Sequence, residues 1–188
     1  MSPTLNLNRL ELLNVLPKNS VVAEIGVYRA EFSKEILERS NPKQLTLIDS
    51  WMTMLNSIQV DPLFESFYTE VVGKFKGNEK IKIIRKTSTE ALNDIKDNSI
   101  DWVYIDGDHN YQPCLEDLRG YASKIKEDGY ICGHDWVTRS KPGFGVNQAV
   151  TEFIQETGFT LIGLTNEDNF KSYVIAKTED AVNRFNKI

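Results

Sequence analysis

Four apolar runs in this 188-residue chain end on residues able to bind a ligand or move a proton. Val21-Val22-Ala23 runs into Glu24-Ile25-Gly26, and Leu45-Thr46-Leu47-Ile48 into Asp49-Ser50. Trp102-Val103-Tyr104-Ile105 runs into Asp106-Gly107-Asp108-His109, and Tyr130-Ile131-Cys132-Gly133 into His134-Asp135. In open α/β sheets ligands bind beyond the carboxyl ends of the strands, so four polar tips on one edge would face a common ligand. Gly26 lets the backbone approach that ligand without a Cβ in the way. A dinucleotide site needs further glycines to cradle a pyrophosphate, whereas Val27-Tyr28-Arg29 follow here. The loop suits a nucleoside carrying no phosphate. Asp49 can accept hydrogen bonds from ribose hydroxyls. Ser88, just past Ile81–Ile84, falls where a base would stack or where a helix needs an N-cap.

The last two tips differ in kind. Asp106, Asp108, His109, His134 and Asp135 include the chain's only two histidines. Carboxylates with few nitrogens suit Mg²⁺ or Mn²⁺ rather than structural zinc. The expected ligands are Asp106 and Asp135, with His134 third or just outside. His109 is the expected proton acceptor, since a neutral imidazole with a reference pKa of about 6.5 is a competent base near neutrality. Asp108 is the alternative, although a carboxylate beside a cation is a weaker base; His109 could instead cap the helix that follows.

To hold these tips on one edge, short buried strands must alternate with amphipathic helices, the pattern of βα units and a parallel sheet. Helices are expected over Leu5–Leu16, Ala30–Ser40, a segment opened by Asp61-Pro62, a short one opened at Thr87, Ser88 or Thr89, Pro113–Ile125, and Val146–Glu156 closed by Gly158. Phe159–Leu164 and Tyr173–Ala176 are joined by too few residues for a crossover, so they should pair antiparallel. The expected fold is α/β: a doubly wound, mostly parallel seven-stranded sheet with a C-terminal antiparallel hairpin, in one domain over residues 1–188, with an N-terminal helix before residue 20 and the core over 20–177.

A charged content of 26% and an apolar content of 40% are those of an ordinary globular protein. The net charge of −5 argues against a nucleic-acid partner, which requires a basic footprint. No apolar run approaches the ~20 residues of a membrane span, and the N-terminus lacks the plan of a signal peptide. Cys114 and Cys132 read as reduced structural thiols. A cytoplasmic location is expected.

The stretches VVAEIGVYRAEFSKEIL, LTLIDSW, IKIIRKTSTEAL, SIDWVYIDGDHNYQPCLEDL and DGYICGHDW together resemble class I S-adenosylmethionine-dependent methyltransferases related to macrolide and aminocoumarin sugar O-methyltransferases. The resemblance spans about Ser20 to Ala176, and the linked IDGDH and GHDW are its most specific part. It implies a Rossmann-like class I fold, S-adenosylmethionine as cofactor, and methylation of a hydroxyl on a small polar metabolite or sugar, assisted by a divalent cation. Glu24, Gly26 and Tyr28 would form the methionine side of the cofactor site, Asp49 the ribose acceptor, Ser88 the adenine side, with Asp106 also among the cofactor-binding residues. The residues matching Asp106 and Asp135 bind Mg²⁺ in metal-dependent relatives, where the position of Asp108 or of His109 supplies the base. Ala30 replaces the last glycine of the first motif, and His134-Asp135 stands where some relatives carry two acids. The expected partner is a small hydroxyl acceptor, and a homodimer is the assembly considered. A nicotinamide oxidoreductase and a non-catalytic module are the competing readings. Acceptor choice would rest on the N-terminal helix and Trp51–Val60, and Trp51, Tyr111, Trp136 and Phe144 would line the pocket or pack locally.

Overall fold

Parallel strands buried on both faces must be apolar nearly throughout, a condition met by the inner strands and relaxed at the edge of the sheet. The computed structural model describes residues 3–52, 61–137 and 141–187. In it Val21–Ile25 (β1), Gln44–Asp49 (β2), Ile81–Arg85 (β3), Ile100–Ile105 (β4) and Ile125–Val137 (β5) run parallel. Thr160–Leu164 (β6) and Phe170–Ala176 (β7) pair antiparallel with each other, and β7 lies antiparallel on β5. The order is β3-β2-β1-β4-β5-β7-β6. This is the expected seven-stranded, mostly parallel Rossmann-like sheet with its antiparallel C-terminal pair. The carboxyl ends of β1, β2, β4 and β5 share one edge, which brings the four polar tips together.

Alternation along the strands sorts side chains onto two faces. Ala23, Ile25, Val103, Ile105 and Ile131 meet the helices Ser88–Ala91 (α4), Tyr111–Ala122 (α5) and Val146–Thr157 (α6). Val22, Leu45, Leu47, Trp102, Tyr104 and Cys132 meet Arg9–Val15 (α1), Glu31–Ser40 (α2), Pro62–Lys74 (α3) and Glu179–Phe185 (α7). Glu24 shares the second face with Val22 and is therefore buried under α2.

Several local expectations hold. Asp61 caps α3 by accepting from the Leu63 N–H at 2.9 Å, with Pro62 at the first helical position. The short helix is opened by Thr87, which forms a capping box with Glu90; Ser88 is its first residue rather than its cap. Gly158 ends α6 in the left-handed conformation.

Others shift. The N-terminal helix begins at Arg9, not Leu5. Asn8 accepts from the N–H groups of Leu10 and Glu11, and Glu11 returns to the Asn8 N–H. Leu5 instead donates its N–H to the Leu164 carbonyl, extending the edge of β6. Helix α5 occupies Tyr111–Ala122, two residues earlier at its start than Pro113, which the first turn tolerates because its N–H groups have no intrahelical partner. Strand β5 starts at Ile125 and runs through His134 and Asp135. Its register on β7 shifts between Gly133 and Trp136, and Asp135 adopts φ +60°. Among the described residues no helix is long and apolar enough to cross a membrane. The expectation for Trp51–Val60 falls, from residue 53 onward, outside the described residues.

Candidate cofactor and catalytic site

A seven-residue helix is not self-sustaining in water. α1 is held by Leu12, Leu13 and Leu16, all buried, each contributing about 1.5–3 kcal/mol of apolar burial. That anchoring carries Arg9, its first residue, to the tip of β4, where the guanidinium pairs with the Asp106 carboxylate.

The loop after β1 is built on left-handed backbone: Gly26 has φ +85°, Tyr28 +52° and Ala30 +63°. Non-glycine residues there cost about 1–3 kcal/mol each, and three observations explain what holds them. The N–H groups of Val27 and Tyr28 both donate to Asp49 Oδ2 at 2.9 Å. Asp49 Oδ1 accepts from the Trp51 N–H at 2.7 Å. The buried Trp51 indole donates to the Tyr28 carbonyl at 2.8 Å. A carboxylate has about four acceptor positions, so Asp49 retains about one for a ribose hydroxyl. The N–H groups that would cradle a phosphate are occupied by the protein's own carboxylate.

Between this loop and the tip of β4 lies a cleft of about 520 Å³. Of the expected residues, Gly26, Tyr28, Asp49 and Ser88 line it beside Asp106, Asp108 and His109. Glu24 does not. It lies beneath the loop, where the Ser33 hydroxyl donates to it and burial pushes its carboxyl up to about 8; it supports the floor as a neutral acid near pH 7. Asp117 and Asn110 are among the lining residues that were not anticipated. Asp117 on α5 is buried, pushed up to about 6 by burial against a hydrogen bond from Ser88. Its signal was an acid inside the apolar stripe Cys114, Leu118, Tyr121. The Asn110 N–H and side-chain amide both donate to Asp108 Oδ1, at 2.9 and 2.7 Å.

His109 is not a helix cap. Its carbonyl accepts from the Gly145 N–H, its ring stacks on Phe144 at 4.1 Å and 13°, and its Nδ1 lies 3.9 Å from Asp135 Oδ2. That separation is too long for a hydrogen bond. Phe144 is the one of four aromatics considered for the pocket that touches His109. Trp51 and Trp136 are buried, and Tyr111 donates to Glu152 at 2.5 Å.

The structure does not support the expected metal set. Asp106 faces the Arg9 guanidinium, His134 Nδ1 lies 3.2 Å from the Ser172 hydroxyl on β7, and Asp135 faces His109. They share a smaller hollow, yet among the described residues no three His, Cys, Asp or Glu side chains converge as a metal-binding group. A divalent ion on Asp106 would meet a fixed guanidinium, and like charges at that range repel. The residues present therefore do not fit Mg²⁺ or Mn²⁺. Burial pushes Asp106 up to about 6, with the Arg9 charge pulling the other way.

Residues 24–136, more than half of the chain, match a family described as a methyltransferase domain. A protein of Sinorhizobium fredii is 39% identical over 67 residues, which are 36% of this chain and 7% of that one; the match spans a small part of that relative's length. A SAM-dependent methyltransferase from Aquifex aeolicus superposes with a TM-score of 0.64 at 14% identity, covering 90% of each chain. Aeropyrum pernix fibrillarin with natively bound S-adenosyl-L-methionine superposes with a TM-score of 0.65 at 10% identity, over 89% of this chain and 73% of that one. At those identities the likeness is one of fold.

Proposed function

The chain belongs to the methyltransferase-domain family matched by residues 24–136, and from that premise we propose that it moves the methyl group of S-adenosylmethionine to a hydroxyl of a small polar metabolite or sugar. One observation carries the cofactor reading: the backbone donors of the first loop are satisfied by Asp49. A pyrophosphate would have to displace that carboxylate, whereas an adenosine lacking phosphate leaves it in place. Tyr28 and Gly26 then bound the methionine side, Asp49 offers its remaining acceptor position to the ribose, and Ser88 with Asp117 bounds the adenine side.

When bound, the sulfonium supplies an electrophilic methyl carbon whose bond to sulfur breaks as the acceptor oxygen attacks, the electron pair leaving on sulfur. The protein's work is alignment and proton removal. His109 takes the hydroxyl proton as the oxygen–carbon bond forms. Asp135, 3.9 Å from Nδ1, balances the resulting positive charge. Phe144 fixes the ring plane. No step is routed through a metal ion.

The hydroxyl acceptor is testable without knowing its identity. Methyl-labelled S-adenosylmethionine incubated with the protein and a panel of hydroxylated sugars and phenols should yield label in base-stable ethers. Label found only on nitrogen or carbon acceptors would overturn O-methylation.

A further inference from the structure

Tyr173 carries a polar atom that the fold leaves unused. The residue is wholly buried in β7, opposite Gly133 of β5. Its hydroxyl reaches the space beside that glycine, where an added Cβ would stand 2.3 Å away. Among the described residues the hydroxyl has no hydrogen-bond partner, although buried polar groups are nearly always satisfied. Burial pushes the phenol up, so the hydroxyl stays a donor. Tyr173 also lines the smaller hollow, together with His134, Asp135, Asp106, Asp108 and His109. That hollow measures about 10 Å³, close to the roughly 10–15 Å³ that one water needs.

The walls of the hollow call for a ligand that both donates and accepts. The Tyr173 hydroxyl has a proton to give, and ionised carboxylates only accept. Burial pulls His134 down to about 4, so its ring is neutral. Its Nδ1 meets the Ser172 hydroxyl at 3.2 Å, which meets the buried Tyr104 hydroxyl at 2.7 Å. Nε2 is left as a further neutral polar group. Water serves all three, whereas a cation satisfies no donor. We propose that the hollow binds one ordered water, which accepts from Tyr173 and donates to Asp135, making Tyr173 a positioning residue for the acid beside His109. Asp135 needs such support. It adopts φ +60° where the register of β5 on β7 shifts, a conformation that persists only when its surroundings over-determine it. At 3.9 Å, His109 is too distant to supply a hydrogen bond.

Tyr173→Phe, which deletes only the hydroxyl, is the test. A high-resolution crystal structure of the wild-type protein should show one water within hydrogen-bonding distance of the Tyr173 hydroxyl and an Asp135 oxygen. A hydroxyl satisfied by that water stabilises the fold, so the variant should melt about 2–4 °C lower. An orphan hydroxyl would do the reverse, because its deletion removes an unmet desolvation cost. A dry hollow beside a higher melting temperature in Tyr173→Phe therefore overturns the water site, and so does a metal ion found in it. Turnover reads the positioning role, which rests on His109 being the base of the proposed reaction. Tyr173→Phe should lower kcat ~3–10-fold and leave the KM for S-adenosylmethionine unchanged, yet cost nothing further in an Asp135→Asn background, where the charge it positions is gone. An equal loss in both backgrounds means a merely structural tyrosine and overturns the positioning role. A wild-type protein that methylates no hydroxyl acceptor would instead remove the proposed reaction, with the water still decided by the crystal structure and the melting temperatures.

Discussion

Gly26→Val should give a protein that no longer binds S-adenosylhomocysteine and melts roughly 10 °C lower. A Cβ at this position would stand 2.2 Å from the Asp106 carbonyl oxygen and 2.6 Å from the Gly107 Cα. Those atoms are backbone, fixed by the Asp106 N–H donating to the Ile25 carbonyl at 2.8 Å, so no side chain can swing aside. Left-handed φ adds about 1–3 kcal/mol of strain for a branched residue, and overpacking typically another 1–3 kcal/mol. At this chain length each kcal/mol is worth about 2–4 °C. The tips of β1 and β4 would separate, and the cleft is the space between them. Gly77→Ala is the control: its φ of +79° carries the same strain, but nothing lies within 4 Å of the added Cβ. Differential scanning calorimetry should show a small loss there, with binding retained. Unaltered S-adenosylhomocysteine affinity in Gly26→Val would refute this view of the loop.

His109→Ala should lower methyl transfer ~10²–10⁴-fold, the usual contribution of a positioned base, while affinity for S-adenosylhomocysteine stays near wild type. Asp108 is the rival because it lines the same cleft. Its Oδ1, however, holds the Asn110 N–H and amide at the start of α5, so its loss should act first on helix geometry and on cofactor binding. Single-turnover rates and cofactor titration of both variants separate the two roles. Near-normal turnover in His109→Ala beside an inactive Asp108→Asn that still binds cofactor would transfer the base to the carboxylate.

What could be read from the sequence was whatever depends on neighbours in the chain. The inner parallel strands leave apolar runs too dense to miss, and each acid or histidine at the end of a run marks a tip. The antiparallel pairing of β6 and β7 followed from the short connection alone. Asp61-Pro62 and Thr87 with Glu90 announced helix starts because capping is local chemistry.

Long-range partners were not readable. Leu5 has helical spacing to the following leucines, but its N–H is claimed by Leu164 across the sheet edge. The acids at Asp106 and Asp135 have the composition of a cation site. Nothing local in NRLELLNVL says that Arg9 will reach Asp106. Asp49 has the position of a ribose acceptor, yet most of its capacity holds the loop after β1, a role invisible without backbone geometry. His134 meets Ser172 and Asp135 meets His109, so two adjacent residues that looked like one ligand pair serve different neighbours. Helix α7 was absent from the expected elements because Glu179–Phe185 is short and mostly polar. Ala181 and Phe185, with the partly buried Val182, carry its packing.

Parallel isothermal titration of the wild-type protein with S-adenosylhomocysteine and with NAD⁺ bears most directly on the cofactor. The Asp49 clamp on the Val27 and Tyr28 N–H groups leaves no place for a pyrophosphate, so S-adenosylhomocysteine should bind at one site per chain and NAD⁺ should give no saturable heat. Saturable NAD⁺ binding with no response to S-adenosylhomocysteine would contradict the assignment outright.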